Sequence, residues 1–129
     1  MAYPTGSGSE RLHRGFIHNQ VSTPTAFRFD GGVSATGTGS YTVPANHIVT
    51  IVSIIFAEQS NVARTFNLYS NMVSPSAEVK FLSDHPLTAY ATFVWSDKIV
   101  FHGGDSLLIN CSGSSNTDVW YTYIDQNWE

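Results

Sequence analysis

A chain of 129 residues has room for one domain and no second one. Its composition is 42% hydrophobic and 13% aromatic but only 12% charged, which opposes global disorder and removes the residues from which solvated helices are built. With a net charge of −4 the chain offers no basic surface for nucleic acid or an anionic membrane, and no stretch nears the roughly 18 apolar residues of a membrane span.

Charge is uneven along the chain. Through Asp30, the cations Arg11, Arg14 and Arg28 face the acids Glu10 and Asp30, whereas the remainder sets Arg64, Lys80 and Lys98 against eight acids. A slightly basic start therefore precedes an acidic body. The N-terminus has no basic stretch followed by an apolar run, so no signal peptide is expected and the protein is expected to be made in the cytoplasm.

Residues 1–25 open with Pro4 and the flexible run Gly6, Ser7, Gly8, Ser9, then scatter Leu12, Phe16, Ile17 and Val21 without a regular period. They read as an extended arm with apolar anchors, ordered against another surface, where an isolated terminus would be disordered. Residues 25–29 alternate enough for a short strand, with Phe27 and Phe29 on one face, and Asp30, Gly31 and Gly32 break it. Gly37 and Gly39 keep the next stretch loose.

Tyr41, Thr42 and Val43 form a short β run ended by Pro44, with Ala45 and Asn46 in the turn. Residues 48–57 are the most apolar stretch and are rich in β-branched side chains, which pack well on a pleated surface. Apolar residues fall on both faces of this strand, placing it between two layers or between a layer and a partner subunit. Further strands are expected at 64–70, 77–82, 90–95, 99–101, 106–111 and 118–125. Asn61, Asn71 with Pro75, Asp84 with Pro86, Asp97, Gly103 with Gly104, and residues 112–116 supply the turns. About eight short strands at this spacing predict an all-β fold, a single β-sandwich or jelly-roll-like domain over 26–129 behind an extended N-terminal arm over 1–25.

Sites of chemistry do not emerge from the motifs. The five histidines lack the close spacing of a zinc site, and the lone Cys111, set in an apolar strand, reads as a small buried group. Acid–histidine neighbours at Asp84–His85 and His102–Asp105 lie in turns, no Gly-x-Ser-x-Gly elbow is present, and the carboxylates are dispersed. The expectation is a protein that is not an enzyme and holds neither cofactor nor metal. The aromatics are more informative. In the last strand, alternation separates Val119, Tyr121 and Tyr123 from Trp120, Thr122 and Ile124, so one set lines the core and the other faces outward. With Trp95, the residues Trp120, Tyr121 and Tyr123 are candidates for an aromatic subunit interface or a glycan platform, the interface being preferred.

The order Gly39, Ser40, Tyr41, Thr42, Val43, Pro44, Ala45, Asn46, His47, Ile48 before a long apolar strand resembles small β-sandwich virion proteins of tailed bacteriophages. So do Gly104, Asp105, Ser106, Leu107, Leu108 opening a late strand, and Val119, Trp120, Tyr121, Thr122, Tyr123 near the end. The likeness covers about 39–125 and is one of turns and strands. It implies a virion structural protein, most specifically a capsid decoration or cement protein, with neck, tail or fibre accessory proteins as the alternative. It further implies a homotrimer whose partners are the major capsid protein or other virion proteins, located in the virion after synthesis in the host cytoplasm. In that setting Tyr3, Arg11, Leu12, Arg14, Phe16 and Ile17 of the arm are expected to dock on the partner. A carbohydrate-binding module using exposed aromatics is the rival from another class.

Overall fold

The computed structural model describes residues 9–20, 24–29, 34–35, 41–73, 76–112 and 117–127. Ten strands are assigned among them: β1 (Ser9–Gln20), β2 (Thr25–Ala26), β3 (Ser34–Ala35), β4 (His47–Glu58), β5 (Arg64–Val73), β6 (Ser76–Leu87), β7 (Thr92–Trp95), β8 (Ile99–His102), β9 (Ser106–Cys111) and β10 (Thr117–Asn127). They form two sheets, the architecture of a β-sandwich. The first has the order β3-β1-β10-β4-β7, with β8 beside β7 on the same edge of β4; the second has the order β2-β9-β5-β6. The pairings are antiparallel except β1 with β3.

The largest departure from the expected layout is at the N-terminal end. Ser9–Gln20 does not stand off the domain as an arm: it is a strand paired with β10 from Ser9 opposite Asn127 to Ile17 opposite Val119, and Ile17 is 1% exposed. Pairing with β10 gives its backbone groups their partners, and burial of Ile17 adds about 2 kcal/mol. Tyr3, the Gly6 to Gly8 run, Val21, Asp30, Gly31, Gly32, Gly37, Gly39, Pro75, Gly113 to Asn116 and Trp128 lie outside the described residues.

β4 explains how one strand can be apolar on both faces. Val49 and Ile51 point into the sandwich, then Ile54, Phe56 and Glu58 do, a phase change of one residue. The change coincides with a register shift against β10, where Thr122 opposes Ser53 but Tyr123 opposes Ile51, so Val52 is the extra residue of a bulge. A second bulge corrects the expected turn at Asp84 and Pro86. There β6 continues to Leu87, with Asp84 at φ 47° and its N–H donated to Asn67 Oδ1 at 2.9 Å. The left-handed residue is absorbed as a kink, and Pro86 is tolerated because β6 is the edge of its sheet. Gly104, at φ 94°, makes the expected bend before β9, where the His102 N–H donates to Asp105 Oδ2 at 3.0 Å.

The core lies between the sheets. Val119, Tyr121 and Tyr123 of β10 share one cluster with Phe66 and Leu68 of β5 and with Leu107, Ile109 and the buried Cys111 of β9. Residues 27–29, just after β2, carry Phe27 and Phe29 into the middle of it. They are anchored by Tyr121, whose hydroxyl accepts from the Arg28 N–H at 2.9 Å and donates to the Arg28 carbonyl at 2.8 Å. Glu58, the buried carboxylate at the end of β4, accepts from Thr117 Oγ1 at 2.5 Å and from Ser60 Oγ at 2.6 Å.

On the outward side of the second sheet, burial first and the Glu78 carboxylate second push the Tyr69 phenol above its ordinary 10.0. Because the folded value is raised, the neutral phenol's contribution to stability is complete below pH 10 and is lost as pH rises from there through the folded value. Spectrophotometric titration of the tyrosines is expected to show the Tyr69 phenol ionising above its ordinary value. Glu78→Gln is expected to move it downward, and an unchanged curve would count against the assignment.

Candidate functional site

Among the described residues, the notable surface is the outward face of the first sheet. Strand register builds it. Phe16 of β1 lies opposite Trp120 of β10, Trp120 opposite Ile55 of β4, and Ile55 opposite Val94 of β7, so four apolar side chains form one row across four strands. At about 4.8 Å per strand the row is roughly 14 Å long. A second row runs Leu12, Ile124, Thr50, Val100. Between them lies a row of Arg14, Thr122 and Ser53.

These apolar side chains stand in solvent to an unusual degree: Leu12 is 70% exposed, Val94 53%, Val100 52% and Trp120 43%. Single exposed apolar residues need no explanation, but two registered rows on one sheet face, parted only by the Arg14–Thr122–Ser53 row, are a feature of the kind that marks an interface. The Phe16 and Trp120 rings are stacked, 6.2 Å between centroids and 9° between planes, and the Arg14 guanidinium lies 5.7 Å from the Trp120 ring centre. A groove of about 280 Å³ opens beside them, and its lining includes Phe16, Trp120, Ile55, Ala57, His18 and Asp118.

Acids on this face are engaged locally. Asp118 receives His18 Nδ1 at 2.8 Å on one oxygen and Gln59 Nε2 on the other, and Glu10, at the margin, accepts from Gln126 at 2.9 Å. Those hydrogen bonds hold both carboxylates in place, and Arg14 offsets one of their two charges.

The residues expected to act divide sharply. Leu12, Arg14 and Phe16 come together with Trp120 on the outward face, as members of a sheet rather than of an arm. Arg11 is exposed near the start of β1, while Ile17 is in the core and has no surface to offer a partner. Tyr121 and Tyr123 are both 0% exposed, packed on Phe27 and Phe29, so neither belongs to an aromatic platform. Trp95 is half-buried against Phe81, its indole N–H donated to the Asp97 carbonyl at 2.8 Å. Of the four candidate platform rings, Trp120 alone is substantially exposed. Ile55, Val94 and Val100 were missed by sequence reasoning, because nothing local shows that β7 and β8 lie beside β4.

The remaining histidines have structural settings. His47 Nδ1 is 2.8 Å from Asp125, and His85 packs on Phe93 with ring centroids 4.5 Å apart. Among the described residues no group of three or more His, Cys, Asp or Glu side chains is placed to hold a metal, and no helix is long and apolar enough to cross a membrane.

No protein-family model matches the chain, and no curated protein does. Solved structures do. The globular domain of the zebrafish complement 1qA protein is 13% identical, over 94% of this chain and 98% of that one, with a TM-score of 0.51. A chain of the infectious bursal disease virus Gx strain is 13% identical over 93% of this chain, with a TM-score of 0.49, and a chain of that virus's VP2 subviral particle has the same identity and TM-score over 92%. This chain spans about a third, 33%, of the length of those two viral chains. At this level of identity the comparison establishes the fold alone: the chain has the β-sandwich architecture of the zebrafish domain.

Proposed function

We propose that this chain is a structural protein of a tailed-phage virion that assembles with copies of itself through the outward face of its first sheet, most specifically as a trimeric capsid decoration protein. The observation that carries the assembly reading is the row Phe16, Trp120, Ile55, Val94 across four strands, in which Trp120, Ile55 and Val94 are exposed and Phe16 half-buried. The virion setting is supported by the residues of 39–48, 104–108 and 119–123 that resemble phage β-sandwich proteins. A second copy is the occupant that the charges favour. Each chain carries a net −4, yet on this face Arg14 stands beside Trp120 and offsets one of the two carboxylates Asp118 and Glu10, so copies meet here with less like-charge repulsion than the whole-chain charge would give. The capsid contact that the resemblance assigned to an arm passes, in this reading, to the surface that self-assembly leaves exposed. A glycan platform is disfavoured because stacking on sugars needs several exposed rings and Tyr121 and Tyr123 are buried.

Sedimentation velocity tests the assembly. The protein is expected to run as an oligomer of its 14.1 kDa chain, and Trp120→Asp is expected to weaken association by about 2 kcal/mol or more per contact, roughly 30-fold, with the melting of the isolated subunit little changed. A wild-type monomer at tens of micromolar would end the proposal. Co-sedimentation with undecorated capsid shells tests the virion role.

A further inference from the structure

The second sheet ends in β6, which among the described residues pairs with β5 on one side and with no strand on the other. We propose that β6 pairs antiparallel with β6 of a second copy about a two-fold axis at Val79, so that Glu78 of each copy faces Lys80 of the other. This contact uses a different surface from the first-sheet face and does not rest on the reading of that face.

An edge strand leaves alternate N–H and C=O groups unpaired along its outer side, which makes it a template for another strand. β6 runs 12 residues, and Pro86 and the Asp84 kink interrupt only its far end. From Ala77 to Lys80 its register against β5 is unbroken: Met72, Asn71, Ser70 and Tyr69 oppose Ala77, Glu78, Val79 and Lys80 in turn. All four of these β6 residues are exposed. Ser70 lies on the same face of β5 as the core residues Phe66 and Leu68 and is 2% exposed, so Val79 opposite it belongs to the inward face, and Glu78 and Lys80 to the outward one. Val79 is nevertheless 40% exposed, an apolar side chain left partly open at the margin of the sandwich. A second Val79 across the axis covers it.

Charge selects the register. With Val79 opposite Val79, the outward face carries two opposite-charge pairs, Glu78 with Lys80 and Lys80 with Glu78. Among the described residues neither side chain is held by an ion pair within its own chain. Because the axis passes through a residue, each position meets one of the same parity, so the backbone groups that point off one edge meet those that point off the other. Moving the axis by one residue sets Glu78 opposite Glu78, or Lys80 opposite Lys80, and like charges directly opposite are destabilising. An axis between residues sets an outward side chain opposite an inward one. Parallel pairing in register lines up like charges. A lysine alone on an edge strand repels other copies, whereas a lysine two residues from a glutamate admits this one alignment.

Sedimentation velocity of the full chain carrying Trp120→Asp, which weakens the face contact, reads the β6 contact by itself. That chain is expected to form dimers at concentrations on the order of 100 μM. Adding Glu78→Lys or Lys80→Glu is expected to raise the dissociation constant at least about tenfold, and adding both, which leaves the net charge unchanged, to return it to within about threefold. Mixing the two singly exchanged chains is expected to restore pairing as well. The register is read by oxidative cross-linking of Val79→Cys in the otherwise wild-type chain. Its Cα atoms would stand about 4.5–5.5 Å apart across the axis, within disulfide range, whereas those of Ala77→Cys would stand roughly 14 Å apart and stay unlinked. Cys111, 4% exposed, is shielded from the oxidant. A monomeric Trp120→Asp chain, a double exchange no tighter than the single ones, or Ala77→Cys linking as fast as Val79→Cys would overturn the pairing. So would Val79→Cys linking to a capsid-shell protein and never to its own copy, since the edge would then take a foreign strand. If the β6 exchanges change nothing while Trp120→Asp weakens the wild-type oligomer, this inference falls and the face reading stands. If Trp120→Asp changes nothing while the β6 exchanges do, the reverse holds. The exchanged side chains are in solvent, and unchanged far-ultraviolet spectra confirm folding.

Discussion

Gly15→Ala is expected to lower the stability of the domain by about 3 kcal/mol, and Gly15→Val by more. Gly15 lies opposite Tyr121 in the β1–β10 pairing, and a Cβ there would overlap Cζ and Oη of the Tyr121 ring. Tyr121 cannot step aside. It is 0% exposed, its ring meets Phe27 edge-on at 4.8 Å, and its hydroxyl is tied in both directions to the Arg28 backbone. Moving it gives up those hydrogen bonds, each worth about 1 kcal/mol, on top of about 1–3 kcal/mol of overpacking. With a total stability of about 5–15 kcal/mol, a melting temperature lower by about 10 °C is expected. In a Tyr121→Ala background the same Gly15→Ala change is expected to cost little, since the two sites share one space. Melting within 2 °C of the parent, on the order of experimental scatter for a change this small, would show that the ring has room.

Phe29→Ala is the second large effect, about 3–5 kcal/mol by urea denaturation. Phe29 is 0% exposed and stands among Tyr41, Phe101, Tyr121 and Tyr123, with ring centroids at 6.0, 6.0, 6.0 and 5.1 Å. It lies outside any regular strand, so those rings, together with the Arg28–Tyr121 hydrogen bonds, hold residues 27–29 across the sandwich. Truncation leaves a cavity bounded by four other aromatic rings whose own positions are fixed by the sheet. Phe16→Ala, by contrast, is expected to cost the subunit less than about 1 kcal/mol, because Phe16 packs on the surface against Trp120. Similar losses for the two would mean that the outward aromatic row belongs to the fold rather than to assembly.

These two residues also mark the boundary of what is legible in the chain. Phe29 was placed on the same strand face as Phe27 by simple alternation, and both are core. Alternation likewise divided the last strand correctly into Val119, Tyr121, Tyr123 and Trp120, Thr122, Ile124, although it did not say which set was inside. Gly15, in a stretch with no regular period and a glycine at its centre, gave no sign of being a strand. Its pairing depends on Tyr121, more than a hundred residues on, whose ring fills the space a side chain would occupy.

By itself, then, the sequence determined the all-β class, most strand positions, the buried state of Cys111 and the two-faced apolar character of residues 48–57, because period, β-branching and turn residues act over a few neighbours. Only the tertiary structure decided that residues 9–20 belong to the sheet, that Asp84 makes a bulge instead of a turn, and that Phe16, Trp120, Ile55 and Val94 form one row. Each of those outcomes rests on which strands lie side by side and in what register. That is settled by packing between segments far apart in the chain, where no local pattern reaches.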